Sequence, residues 1–253
     1  PDGSLRELRR RLGVVFQSPS LDRKLTVREN LHVHGAILGL GGRALGARAD
    51  ELLARMGVDD RARDLVETLS GGLARRVEIA KALLGAPKVL LLDEPSTGLD
   101  PIARRSLRAL LAELARGGTT VLLTTHLFDE AEEASRIGIL DRGRLVALGA
   151  PADLTREVGG DVVVLAAGSD ADALALAADV AVSLGSYPGR VAAVGPTVRI
   201  EGPDGPSLVP SLAASFGARF RSLTLGAPSL EDVFVDRTGH RFDEPAGEDG
   251  RAA

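Results

Sequence analysis

Two adjacent carboxylates, Asp93 and Glu94, end the apolar run Val89-Leu90-Leu91-Leu92, and earlier in the chain a hydroxyl and two glycines, Ser70-Gly71-Gly72, open a helix-like stretch. The start of a helix presents unpaired backbone N–H groups and the positive end of its dipole, a natural seat for a phosphate. Ser70 is also a good N-cap. Paired acids at the end of a buried strand can divide the work of phosphoryl transfer to water. Asp93 suits a magnesium ion that keeps some of its waters, and Glu94, one residue on, is placed to polarise the attacking water. Each element alone has an ordinary reading, as a plain cap or as a strand edge. Their joint occurrence, in this order, points to ATP chemistry.

Two further polar residues follow apolar runs in the same way. His126 comes after the run over 119–125, and Gln17 after the run over 12–16. Open α/β sheets keep their ligands at the carboxyl ends of their strands, so the expected site gathers Gln17, Asp93, Glu94 and His126 at one sheet edge. A lone His or Gln after a strand means little; the recurrence carries the weight. His32 and His34 do not form a metal pair, because residues two apart on a helix face different directions.

The elements that must position these groups are legible from periodicity. Thr26 caps a helix over 27–38, a second helix spans 47–56, and a third runs over 73–84. A helix over 101–116, a strand over 119–125 and a helix start over 127–134 make a second α/β unit. A hairpin over 137–148 turns at Asp141-Arg142-Gly143-Arg144. After Pro151 charge thins, and the order becomes strand 161–166, helix 171–184, strands 190–194 and 197–201, helix 207–216 and strand 219–225. That is a β-α-β-β-α-β, ferredoxin-like pattern. A capped closing helix over 228–234 follows, and 243–253 reads as a disordered tail.

The 253 residues are 44% apolar and carry a net charge of −4, which leaves no basic footprint for nucleic acid. With no cysteine there is neither a disulfide nor a thiolate metal site.

These motifs and their order resemble the nucleotide-binding subunit of ATP-binding-cassette (ABC) transporters. Gln17 matches the Q-loop, and Leu69, Ser70, Gly71 and Gly72 match the signature. The strand ending in Asp93 and Glu94 matches Walker B, the segment ending in Asp100 the D-loop, and His126 the switch histidine. The resemblance implies an α/β fold, a P-loop NTPase (RecA-like) core over 1–150 with a helical subdomain at about 25–84. A small α+β accessory domain over 151–240 and a tail over 241–253 would follow. It also implies Glu94 and His126 as catalytic residues, with Gln17, residues 69–72, Asp93 and Asp100 on the nucleotide and Asp93 and Gln17 on the metal. ATP and Mg2+ would be the ligands. The implied assembly is a head-to-tail homodimer with Asp100 at its seam, bound to an integral-membrane permease at the cytoplasmic face of the membrane. The accessory domain and the Leu-Glu-Asp-Val-Phe segment at 230–234 resemble the drug- and polysaccharide-export branch.

The family's P-loop, G-x-x-x-x-G-K-[ST], occurs nowhere in this sequence. Its lysines, Lys24, Lys81 and Lys88, neither follow a glycine nor precede Ser or Thr. With Pro1 as its first residue and a polar helix read over 2–11, the chain is expected to start partway into a longer product. The alternatives are a soluble ABC ATPase outside transport, for which tandem cassettes or DNA-binding inserts are missing, and a catalytically inactive regulatory cassette. The second conflicts with the retention of Ser70, Glu94 and His126.

Overall fold

The apolar runs that end in chemistry-bearing residues lie side by side. In a computed structural model that describes residues 11–242, β1 (Leu12–Val15), β2 (Val89–Asp93) and β3 (Thr120–Thr124) form a parallel sheet in the order β1-β2-β3. The register pairs Val15 with Leu92 and Asp93 with Thr124. Three parallel strands in step must release the residues that follow them at one edge, so Gln17, Glu94 and His126 leave the sheet together.

Parallel strands need crossovers, and helices supply them. Between β1 and β2 the chain forms α1 (Val27–Ile37), α2 (Gly42–Met56) and α3 (Gly71–Ala82); α4 (Pro101–Arg116) joins β2 to β3. Local chemistry starts each of them. Thr26 and Glu29 make a reciprocal capping box on α1, and the Ser70 hydroxyl accepts from Leu73 N on α3. Asp100, followed by Pro at the first helical position, caps α4. The helices close on a core that includes Leu31, Leu52, Leu53, Met56, Ile79, Leu90 and Leu114, all fully buried. Each such side chain contributes about 1.5–3 kcal/mol by leaving water.

Among these four helices, two starts differ from the sequence reading. The third helix begins at Gly71, directly after its cap, rather than at residue 73. The second begins at Gly42 rather than 47, running through a stretch whose glycines argue against helix. The reason is tertiary. Leu45 is buried, and a Cβ on Gly35 would stand 2.3 Å from a Leu45 methyl, so the Gly35 gap on α1 receives Leu45 and extends the helix.

The chain divides into two compact units between His126 and Leu127. The change in composition lies later, at Pro151. Leu127 joins a second unit because the intervening residues pack there. Ile137, Ile139 and Ala147 contact a small core of Leu154, Leu230 and Val233. After a one-turn helix α5 (Phe128–Ala131), shorter than the expected 127–134, β4 (Ile137–Asp141) and β5 (Arg144–Gly149) form an antiparallel hairpin. Arg142 and Gly143 both have positive φ at its turn, as a primed hairpin turn requires. Helix α6 (Pro151–Val158), absent from the sequence reading, is amphipathic with Leu154 buried, but its 8 residues fall short of the stretch over which a helical period is read.

The rest of this unit is β6 (Asp161–Ala166), α7 (Asp170–Leu184), β7 (Arg190–Val194), β8 (Thr197–Gly202), α8 (Gly205–Phe216), β9 (Ser222–Gly226) and α9 (Leu230–Thr238). Its strands form an antiparallel sheet in the order β7-β8-β6-β9, packed on Leu176, Val180 and Leu212. Ser229 and Asp232 make a capping box on α9, and Asp232 also pairs with the buried Arg199 of β8. The expected helix over 2–11, apart from Arg11, and the tail from 243 lie outside the described residues.

Candidate functional site

At the carboxyl end of β2 the chain turns abruptly. Glu94 has φ +40°, a left-handed conformation that a residue with a side chain rarely adopts, and it sends the carboxylate off the line of the strand. Three groups from three segments meet one oxygen of that carboxylate. Gln17 Nε2 donates to Glu94 Oε2 at 3.1 Å, Thr97 Oγ1 donates to it at 2.9 Å, and His126 Nδ1 stands 3.3 Å away. The Glu94 side chain stays 30% exposed and that of His126 45%, so the cluster is held yet open to solvent.

The neighbouring strand steadies the acids. Thr124 Oγ1, in register with Asp93, donates to Asp93 Oδ1 at 2.5 Å and accepts from Glu94 N at 3.0 Å. One hydroxyl thus orients both consecutive acids. Asp93 itself is exposed at the strand end. Among the described residues there is no group of three or more His, Asp or Glu side chains that could enclose a metal. An exposed carboxylate already fixed by a hydrogen bond fits Mg2+, which retains waters and takes only one or two protein ligands.

Gln17 is tied down from the other side. Arg75, Glu78 and Lys81 on α3 are 6%, 2% and 8% exposed. The Arg75 guanidinium donates to Phe16 O at 2.7 Å, to Gln17 O at 3.0 Å and to Glu78 Oε2 at 2.9 Å. Glu78 Oε1 accepts from Ser20 N, and Lys81 Nζ donates to Ser20 O and Oγ. Burial holds the Lys81 ammonium below the usual lysine range, while Glu78 opposes the shift.

The expected signature residues form a second cluster. Leu69 packs on the core, and the Ser70 hydroxyl is used on Leu73 N at 3.4 Å. A Cβ placed on Gly72 would lie 3.2 Å from the Ala103 methyl, so Gly72 lets the starts of α3 and α4 approach. A Cβ on Gly71 would meet Leu99 Cδ2 at 3.9 Å and nothing nearer. Asp100 Oδ1 accepts from Ile102 N at 2.9 Å and Ala103 N at 3.0 Å. The hydrogen bond from Ala103 is the main reason its carboxyl titrates below the ordinary value.

The structure therefore brings Gln17, Asp93, Glu94 and His126 to one sheet edge, and sets residues 69–72 and Asp100 at two adjoining helix starts. Sequence reasoning did not assign Thr97, Thr124 or Arg75. Thr97 could have been found, since a hydroxyl three residues after an acid in a turn is within reach of it. Thr124 needs the strand register, and Arg75 needs the packing of α3 on the segment after β1.

A family profile described as ABC transporter matches residues 2–97. The daunorubicin resistance ATP-binding protein DrrA3 of Streptomyces coeruleorubidus is 39% identical over 236 residues, 92% of this chain and 73% of that protein. The Nod factor export ATP-binding protein I of Rhizobium johnstonii is 36% identical over 243 residues, covering 96% and 75%. Among solved structures, CbiO1 from Clostridium perfringens, part of the ABC transporter complex cbiONQ, superposes with a TM-score of 0.56 at 29% identity. That superposition spans 62% of this chain and 66% of CbiO1.

Proposed function

This chain belongs to the ABC transporter family as an ATP-binding subunit, and on that premise we propose that it drives export through a separate membrane permease, with Glu94 as the base for ATP hydrolysis. The observation that carries the reading is the convergence of Gln17, Thr97 and His126 on a single oxygen of Glu94. With Oε2 so engaged, Oε1 is the oxygen left to accept a proton from an attacking water. The three neighbours fix the direction of the carboxylate, the positioning on which phosphoryl transfer depends.

Asp93 would hold Mg2+, with the side-chain Oε1 of Gln17 as a second ligand, since the Gln17 Nε2 is already committed to Glu94. Held there, Mg2+ would supply positive charge to offset that on the phosphates. His126 would report the terminal phosphate to Glu94, which it neighbours at 3.3 Å. Ser70, Gly71 and Gly72 offer backbone N–H groups at the start of α3 to the nucleotide held by a second copy, with Asp100 at the seam of the head-to-tail pair.

Among the described residues no helix is long and apolar enough to cross a membrane; the proposed location is the cytoplasmic face, on the permease. Export, rather than a non-transport role, draws support from relatives named for drug resistance and for Nod factor export.

The test is Glu94→Gln in the full-length protein, which keeps shape and removes basicity. Steady-state hydrolysis is expected to fall by at least about a hundredfold, with ATP binding kept and closed dimers accumulating on ATP. Turnover near the parent rate would remove Glu94 from this role.

A further inference from the structure

We infer that Arg75 is a positioning residue for hydrolysis, acting through Gln17, and that Glu78 and Lys81 complete its clamp. This rests on the reading of Gln17 and Glu94 given above.

The peptide carbonyls of Phe16 and Gln17 lie on either side of the Gln17 Cα. Arg75 holds both, one terminal nitrogen on Phe16 O at 2.7 Å and the other on Gln17 O at 3.0 Å. Fixing the two peptide planes that flank one Cα fixes its φ and ψ, and with them the direction in which its side chain departs. The Gln17 side chain departs toward Glu94, which it reaches at 3.1 Å. The rigid guanidinium fork suits this task, because a lysine ammonium is a single point and cannot span two carbonyls with set geometry.

The rest of the clamp aims Arg75. Glu78 Oε2 takes its guanidinium at 2.9 Å, and Glu78 Oε1 takes the Ser20 amide at 2.6 Å, so one carboxylate binds α3 to the far side of the loop. Lys81 closes on Ser20 O at 2.8 Å. Apolar packing would hold this loop at lower desolvation cost than three buried charges. What the charges add is direction at named backbone atoms. Because α3 begins with Ser70-Gly71-Gly72, a displacement of that helix is passed to the backbone of Gln17 and from there to the Glu94 carboxylate.

The decisive experiment is a double-mutant cycle in the full-length protein, reading kcat and KM for ATP. Arg75→Lys, which keeps the charge opposite Glu78, is expected to lower kcat about tenfold, with KM for ATP changed less than about twofold. Gln17→Ala should lower kcat as well, and the double variant should be no slower than the slower single one, because both act at one point. Lys81→Met, farther along the helix, is expected to lower kcat less than Arg75→Lys does. The inference is overturned by normal kcat in Arg75→Lys, or by an equal further loss when Arg75→Lys is placed on Gln17→Ala, which marks a purely structural role. It is also overturned if Lys81→Met has the larger effect. Should Gln17→Ala leave kcat untouched, the site reading falls and the clamp falls with it. Should Gln17→Ala act and Arg75→Lys not, the clamp alone is lost.

Discussion

The surroundings of Glu94 and those of Gly71 differ in how much of their chemistry the chain supplies for itself. Around Glu94 the partners are present: Gln17, Thr97 and His126 on one oxygen, with Thr124 on its backbone N–H. Around Gly71 there is room. The nearest atom to an added Cβ is Leu99 Cδ2 at 3.9 Å, and nothing in its packing requires a glycine there. Gly72 has such a reason in the Ala103 methyl at 3.2 Å. Open space alone decides nothing, since Gly46 and Gly226 are open as well, but at Gly71 it leaves the helix start free for a group approaching from outside. That is the place of the partner copy's phosphate in the proposed composite site. One region is organised from within; the other, in that proposal, is completed by a second copy.

The sharpest way to break this contrast is Gly71→Asp. A carboxylate in the first turn of α3 fits the available space and favours the helix dipole, so the thermal midpoint should hold or rise slightly. Facing a phosphate, the same charge should lower turnover on the order of a hundredfold or more. A protein destabilised by the change, or fully active with it, would show that Gly71 serves the chain itself. Thr124→Val is the next largest effect and probes the self-sufficient side. It removes the hydroxyl that orients Asp93 and Glu94 while keeping a β-branched strand residue. Turnover is expected to fall about tenfold, with a raised Mg2+ requirement measured by titration of the metal. An unchanged metal dependence would mean that Asp93 holds its direction without help.

The smallest effect concerns Asp100, on the Gly71 side, which is both a helix cap inside the chain and a proposed seam residue. Its folded pKa is depressed, so its stabilising contribution is complete above the ordinary carboxyl value of 3.8 and is lost as the pH falls through the lower folded value. The difference in thermal midpoint between the parent and Asp100→Ala should therefore be widest near neutral pH and close below about pH 4. A gap that persists unchanged in acid would assign the stabilisation to packing of α4 instead of the charged cap.

Much of this was legible in residue order. The end of β2 at Asp93, the bounds of α4 and the cap at Ser70 follow from local rules: a strand of buried Leu, Pro after a capping Asp, and a hydroxyl before a helix. The start of α2 was not, because its glycine-rich first turn is helical only by virtue of Leu45 filling the gap over Gly35. Nor was α6, whose 8 residues are too few to establish a helical period although they are amphipathic. In the site, the residues that end strands were visible, while those that aim them were not.

By itself the amino-acid order determined which residues could do chemistry and at which element ends they stand, because caps, strand runs and turn residues act over a few positions. Only the tertiary structure decided how they meet. The parallel register set Thr124 against Asp93, and the packing of α3 laid Arg75 across the two carbonyls flanking Gln17. Those pairings join segments far apart along the chain. They depend on burial and strand alignment, which no short stretch of sequence encodes.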